Sequence, residues 1–178
     1  GTTARRKVTA YTRECLLDRF AGQTSLAALA NSRWLLTYQP TTFAGLQVLL
    51  TAVYAKGILV VPESRTPVEF LSAAQQHAVT HVSGTPTFWR SLLMVAGQCG
   101  WPELRQATLG GEAVDQATLD RIRIAFPQAR ITHIYASTEA GVVFSVNDAL
   151  AGFPAAWLTE GVHGSQLRIR DRLLRVRA

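Results

Sequence analysis

A chain of 178 residues with 48% hydrophobic side chains is long enough for one substantial domain or two small subdomains, and too apolar for a disordered tail. Its longest apolar run, near Gly57-Ile-Leu-Val-Val-Pro62, falls far short of the roughly 20 residues that span a bilayer, and the N-terminus lacks a basic-then-apolar secretory pattern, so a cytoplasmic protein without a membrane partner is expected. The formal charge of +6, densest at Arg5-Arg6-Lys7 and from Arg168 to Arg177, comes without zinc-finger spacing, ribonucleoprotein signature or recognition helix, which argues against nucleic acid and leaves a solvated face or a polyanionic small molecule such as a nucleotide.

In chain order, residues 12–20 read as a helix and 25–30 as a second helical stretch. Trp34 to Tyr38 gathers aromatic and branched residues and is closed by Pro40, which predicts a strand. Thr41 is placed to cap a helix over 42–55, where Phe43, Leu46, Leu50, Val53 and Tyr54 recur at steps of three and four until Gly57 stops it. The unit then repeats: strand 58–61, helix 67–77, strand 79–82 and helix 86–96, with Pro67 and Pro86 in a first turn that tolerates a missing N–H. After a loop over 97–102 come strand 107–109, a Gly-Gly-Glu turn, helix 115–126 and strand 131–135. The expected core includes Leu35, Leu49, Leu50, Val60, Val82, Leu109, Ile122 and Ile134.

Strands alternating with helices of about ten residues imply an α/β fold, a mainly parallel sheet flanked by helices, because parallel strands need crossover connections. From Val142 the texture changes. Residues 144–146, 167–170 and 173–176 are short alternating pieces separated by Gly, Asn and Asp, which predicts the start of a small antiparallel β subdomain over 142–178, after an α/β unit over 1–141. That layer ends without a closing element, as if cut off.

Two cysteines, Cys15 and Cys99, show neither metal spacing nor a disulfide framework and sit in helix-like apolar stretches, as reduced packed thiols do. The histidines at 77, 81, 133 and 163 stand apart from any nearby nucleophile and read as structural.

Three segments carry chemistry. Ligands in parallel sheets bind beyond the carboxyl ends of the strands, which puts "LGGEAV" (109–114) and "IYASTEAG" (134–141) on one rim. Gly110 and Gly111 admit a ligand close to the backbone, although a tight strand-to-helix turn needs glycine equally. In the second turn Glu139 stands beside Ser137 and Thr138. A carboxylate next to hydroxyls suits Mg²⁺ on a nucleotide, since a hard cation prefers oxygen, and Tyr135 offers a ring to a base; the plain alternative is a solvated turn. The N-terminal "GTTARRKV" supplies a glycine, the hydroxyls of Thr2 and Thr3, and Lys7, as a phosphate-wrapping loop or a frayed basic terminus would. It is not a Walker loop, which needs a second glycine immediately before the lysine.

Taken in order, these segments resemble the adenylate-forming superfamily, which includes acyl-CoA synthetases, luciferases and the adenylation domains of peptide synthetases. "GTTARRKV" is similar to the end of the phosphate-loop motif S-G-T-T-G-x-P-K, "LGGEAV" resembles the adenine-side glycine turn, and "YASTEAG" resembles Y-G-x-T-E. "WLLTYQPTTFAGLQVLLTAVYAKGILVVP" and "HVSGTPTFWRSLL" share the family's texture between them. The resemblance implies that Thr2, Thr3 and Lys7 contact the β- and γ-phosphates, that Gly110, Gly111 and Glu112 line the adenine side, that Tyr135 flanks the ring with Ser137 beside it, that Thr138 meets the α-phosphate, and that Glu139 holds Mg²⁺. The implied reaction is attack of a carboxylate on the α-phosphorus of ATP, giving an acyl-adenylate and pyrophosphate, followed by transfer to the thiol of CoA or of a phosphopantetheine-bearing acyl carrier protein. A carboxylate needs no general base, so the lack of a Ser-His-Asp or Cys-His arrangement is no objection.

The sequence also departs from that pattern. Ala4 and Arg6 stand where the phosphate loop has glycine and proline. Gln39 stands where amino-acid-activating members place an aspartate, and a buried ammonium without a carboxylate is costly. The expected substrate is therefore a small carboxylic acid without an α-amino group, in a pocket formed by Tyr38, Phe43 and Trp89. An amino-acid-activating domain ranks lower, and a non-catalytic α/β module is the alternative of a different class. The resemblance places this chain in the central part of an enzyme, with the family's ribose-binding aspartate and catalytic C-terminal lid outside it, so little turnover is expected from the chain alone.

Overall fold

The computed structural model describes residues 10–17, 29–97, 101, 103–137, 141–170 and 173–177. In chain order the elements are α1 (Arg13–Leu17), β1 (Arg33–Leu35), α2 (Phe43–Tyr54), β2 (Ile58–Val60), α3 (Pro67–Gln76), β3 (His81–Gly84), α4 (Pro86–Ala96), β4 (Gln106–Gly110), α5 (Gln116–Ala125), β5 (Arg130–Ser137), β6 (Gly141–Val146), α6 (Trp157–Glu160), β7 (Gln166–Arg170) and β8 (Leu173–Arg177).

Strands β1 to β6 form one sheet in the order β2-β1-β3-β4-β5-β6, parallel except for the antiparallel β5–β6 pair. Successive residues of a strand point to opposite faces, and here each face meets its own helices. Trp34 and Leu36 pack against Val48 and Ala52 of α2. Leu35 turns the other way, into the main core with Val60, Val82, Leu109, Phe70 and Leu71 of α3, Trp89 and Leu92 of α4, and Leu119 and Ile122 of α5. The chain thus runs from β1 outward to β2 over one face, then returns across β1 to β3 over the other.

Local chemistry sets the helix starts. Thr42, Thr66, Thr85 and Asp115 accept hydrogen bonds from the backbone N–H groups of Gly45, Glu69, Phe88 and Thr118, and Pro67 and Pro86 occupy the first turns of α3 and α4. Each such cap stabilises its helix by about 1 kcal/mol. The cap of α2 is Thr42 rather than Thr41.

Other expectations shift for identifiable reasons. The strand read over Trp34 to Tyr38 ends at Leu35, because the carbonyls of Thr37 and Tyr38 receive the Arg65 guanidinium instead of a neighbouring strand. The strand read over 79–82 lies at 81–84, since the N–H of Val79 is spent closing α3 on the carbonyl of Ala74, 2.9 Å away. Leu49, Leu50 and Ile134 are half-buried, whereas the other five expected core residues are fully buried.

The antiparallel texture read from Phe144 belongs in its first piece to the main sheet, as β6. Only β7 and β8 form a separate two-stranded antiparallel sheet, which packs Leu167, Leu174 and Val176 against Val143, Phe144 and Val146. Helix α1 covers part of the predicted 12–20; residues 18–28 and Cys99 lie outside the described residues, and Leu29 and Ala30 form a turn.

Candidate nucleotide and acyl site

The order β2-β1-β3 makes the chain leave β1 and β3 in opposite directions, so their carboxyl ends part and open a crevice, the place where open α/β sheets bind ligands. A cleft of about 370 Å³ occupies it, lined by Thr37, Tyr38, Gln39 and Thr42 after β1 and by Thr85 and Phe88 after β3, with Arg65 and Phe70 closing the side. A second cleft, of about 250 Å³, adjoins it through Arg65, Phe70 and Phe88 and runs between α3 and α4 past Thr87 and Ser91.

The cleft's loops are held by hydrogen bonds across the crevice. The Thr37 hydroxyl donates to the Ser83 carbonyl, and Arg65 donates to the carbonyl oxygens of Thr37 and, at 3.3 Å, Tyr38, while its guanidinium stands 5.9 Å from the Phe70 ring centre. Burial pushes the Tyr38 phenol up to about 12; a hydrogen bond with the Ser83 side chain works against this, and the negative charge of Glu112 adds to it. Tyr38 is therefore a neutral donor and acceptor at any physiological pH.

On the adjacent strand, Gly110 ends β4 and Gly111 follows with φ of +84°, a conformation that disfavours any side chain. Gly110 differs. A Cβ there would meet the Ile134 carbonyl oxygen at 3.6 Å, an ordinary contact, so the position has room for a small side chain.

Glu112 does not project freely from this turn. Its Oε2 accepts from the N–H of Thr87 at 3.1 Å and from the Thr87 hydroxyl at 2.7 Å, with Arg90 3.9 Å away. Partial burial raises the pKa of its carboxyl, but hydrogen bonds from Thr87 and Thr85 and the charge of Arg90 outweigh that and leave it below the usual range.

Tyr135 lies on β5 at a bulge between Tyr135 and Ala136, its ring stacked on Phe144 at 5.3 Å. Bulges of this kind re-aim side chains next to sites. Ser137 pairs in register with Gly141, so the two bracket the connection from β5 to β6 at the carboxyl edge of the sheet. Thr138 and Glu139, like Thr2, Thr3 and Lys7, lie outside the described residues. Among the described residues there is no cluster of three or more His, Cys, Asp or Glu that would hold a metal ion, which leaves Glu139 as the expected magnesium ligand untouched.

Phe43 is half-buried, stacked on Tyr11 with centroids 5.6 Å apart, and its Cζ stands 4.0 Å from where a Cβ on Gly141 would be. It joins the first turn of α2 to the start of β6. Trp89 corrects the expectation made of it. It is fully buried, its indole N–H donates to the Thr108 carbonyl at 3.0 Å, and Phe88 lines the cleft instead. Sequence reasoning missed Arg65, Phe70 and Thr85. The signal was available for two of them, since Thr85 is the cap of a helix and Arg65 stands just before such a cap, both in loops that follow strands.

The model of the AMP-binding enzyme family matches residues 1–172. The chain belongs to that family. Among solved structures, it is similar to the N-terminal domain of FACL13 from Mycobacterium tuberculosis, with a TM-score of 0.64 and 19% identity over 69% of this chain and 33% of that one. It is also similar to O-succinylbenzoate coenzyme A synthetase (MenE) from Bacillus subtilis in complex with ATP and magnesium, with a TM-score of 0.61 and 21% identity over 90% of this chain and 32% of that one. The Vibrio cholerae adenylation domain AlmE, in complex with glycyl-adenosine-5'-phosphate, gives a TM-score of 0.62 and 16% identity over 78% and 27%. At these identities the likeness is one of fold, and the chain spans about a third of the length of these relatives. No curated protein matches it in sequence. The family match and the mixed α/β sheet agree with the adenylate-forming superfamily that the three motifs resemble.

Proposed function

We propose that this AMP-binding chain is the central part of a ligase that activates a small carboxylic acid with ATP in the cytoplasm. A carboxylate oxygen bonds to the α-phosphorus, the bond to the bridging oxygen breaks, and pyrophosphate leaves. The acyl group of the resulting acyl-adenylate then passes to the thiol of CoA or of a carrier protein, with release of AMP.

The observation that carries this reading is the shared rim. The crevice between β1 and β3 and the glycine turn after β4 lie side by side at the carboxyl edge of one sheet, so an acid in the first and an adenosine phosphate at the second would meet there. Bringing two anions together is the barrier, and positioning with donated hydrogen bonds is what the protein contributes. Thr2, Thr3 and Lys7 would hold the outer phosphates and Thr138 the α-phosphate. Mg²⁺, held by Glu139 and phosphate oxygens, would neutralise the charge that develops there.

The described lining of the first cleft carries Gln39 and Arg65 and no carboxylate, which favours an acid without an ammonium group. Tyr38, Phe70 and Phe88 give it apolar walls suited to an aliphatic or aryl chain. The adjoining cleft supports a route for the thiol along Thr87 and Ser91.

Calorimetric titration with Mg·ATP and with a non-hydrolysable acyl-adenylate mimic tests this, with Glu139→Ala as the control. Binding that the substitution weakens tenfold or more, about 1.4 kcal/mol, supports the site. A folded chain that binds neither ligand would instead be a non-catalytic module of the same fold.

A further inference from the structure

The connection from β4 to α5 is tied at two points to one arginine. Arg90 donates to Asp115 Oδ2 at 3.1 Å and to the Thr87 hydroxyl at 3.0 Å, and its other contact is Glu112 at 3.9 Å. The Thr87 hydroxyl in turn donates to Glu112. Asp115 is already engaged as the N-cap of α5, accepting from the N–H and hydroxyl of Thr118 at 2.7 and 2.8 Å. One side chain on the first turns of α4 therefore holds both ends of the segment that begins with Gly111.

The charges explain why an arginine is needed. Two carboxylates and one guanidinium leave a net single negative charge, at the N-termini of α4 and α5, whose dipoles each carry about half a positive charge there. The arrangement is close to neutral. Without Arg90 a surplus negative charge would stand beside a rim that has to accept phosphates and a carboxylate. The field of Glu112 does extend into the crevice, since it adds to the upward shift of the Tyr38 phenol.

We infer that Arg90 is a positioning residue for the nucleotide turn: it clasps Glu112 and Asp115 so that the backbone at Gly110 and Gly111 keeps its conformation, and it cancels the carboxylate charge that would repel the anions bound there. This rests on the nucleotide reading given above, and it assigns a role to a residue that touches no substrate.

The test uses the whole chain as wild type, Arg90→Ala, Glu112→Gln and the double variant, with two readouts: amide hydrogen exchange over residues 106–116, and calorimetric affinity for AMP at low and high salt. Arg90→Ala is expected to speed exchange at residues 111–114. It should also weaken AMP binding about threefold to fivefold, the size expected for a half-exposed ion pair, with a smaller loss at high salt. The double variant should bind AMP more tightly than Arg90→Ala, because removing the Glu112 charge along with the guanidinium returns the cluster to its wild-type net charge.

Unchanged exchange in Arg90→Ala would overturn the clasp. A double variant as weak as Arg90→Ala, or weaker, would overturn the charge cancellation, since a purely structural contact is not rescued by removing its partner. A wild-type chain that binds no AMP, yet exchanges faster when Arg90 is lost, would remove the nucleotide reading and the charge role while supporting the clasp.

Discussion

The carbonyl oxygen of Gln39 lies 2.0 Å from the position a Cβ on Gly45 would take, with Pro40 Cα at 3.1 Å. The first turn of α2 thus rests directly on the backbone of the loop that carries Tyr38 and Gln39 into the cleft. Gly45→Ala should gain about 1 kcal/mol from helix propensity and lose more, because both obstructing groups are backbone and cannot rotate away. The expected net result is a destabilisation of about 1–3 kcal/mol in urea unfolding, together with altered chemical shifts around Tyr38. A neutral or stabilised variant would show that the helix and the loop are not in this contact.

Trp89 separates a core role from a pocket role. Replacing it by Phe removes the hydrogen bond to the Thr108 carbonyl, worth about 0.5–1.5 kcal/mol, and leaves a void where a fully buried ring system stood. Because the ring faces the core, the variant's preference among carboxylic acids, measured in the full-length parent by pyrophosphate exchange, should not change. Phe88→Ala should change that preference while costing less stability than Trp89→Ala.

His81 gives the chain a pH dependence with a definite sign. It is 8% exposed, stands 4.7 Å from the Trp34 ring and 2.7 Å from the Thr80 hydroxyl, and burial, then the positive charge of Arg105, lowers its pKa from 6.5 to about 4. Between those values the unfolded chain takes a proton that the folded chain refuses. The stabilisation is fully present above pH 6.5 and is lost as the pH falls toward 4. Thermal unfolding across this window should show Tm falling with pH, and His81→Gln should flatten the slope. An equal slope in the variant would assign the effect to other groups.

The alternation of strands and helices was legible because short apolar runs are each followed by a turn and a capped helix. Thr66-Pro67 and Thr85-Pro86 announce α3 and α4 without ambiguity. What stayed hidden depends on partners distant in sequence. The end of β1 is decided by Arg65, 28 residues away from Thr37, and no local pattern shows that a guanidinium will take its carbonyl. In "TFW" two neighbouring aromatics suit the helix equally, and only the register fixed by Pro86 turns Trp89 into the core and Phe88 toward the cleft. Glu112 was read from its motif as a residue facing the ligand, whereas its carboxylate is bound by the N-terminus of α4, 25 residues earlier in sequence. Alternation after Val142 showed that strands follow, but not that β6 would close the edge of the main sheet.

The hairpin of β7 and β8 opposes two like charges. Arg168 and Arg175 are register partners and both are exposed, and Arg170 and Arg177 fall on the same face, while Leu167 and Val176 point inward. Like charges directly opposite each other on a sheet are destabilising, by about 0.2–1 kcal/mol per pair, and added salt screens them. Arg175→Glu should therefore raise stability by about 0.5–1 kcal/mol at low salt, the gain shrinking as salt is added. Lowering the net charge of a basic chain also relieves general repulsion, so Arg121→Glu on the exposed side of α5 serves as the charge-matched control. If the two variants gain equally in urea unfolding, the benefit comes from net charge alone. A larger gain for Arg175→Glu at 20 mM salt, converging with the control at 500 mM, assigns it to the pair across the strands.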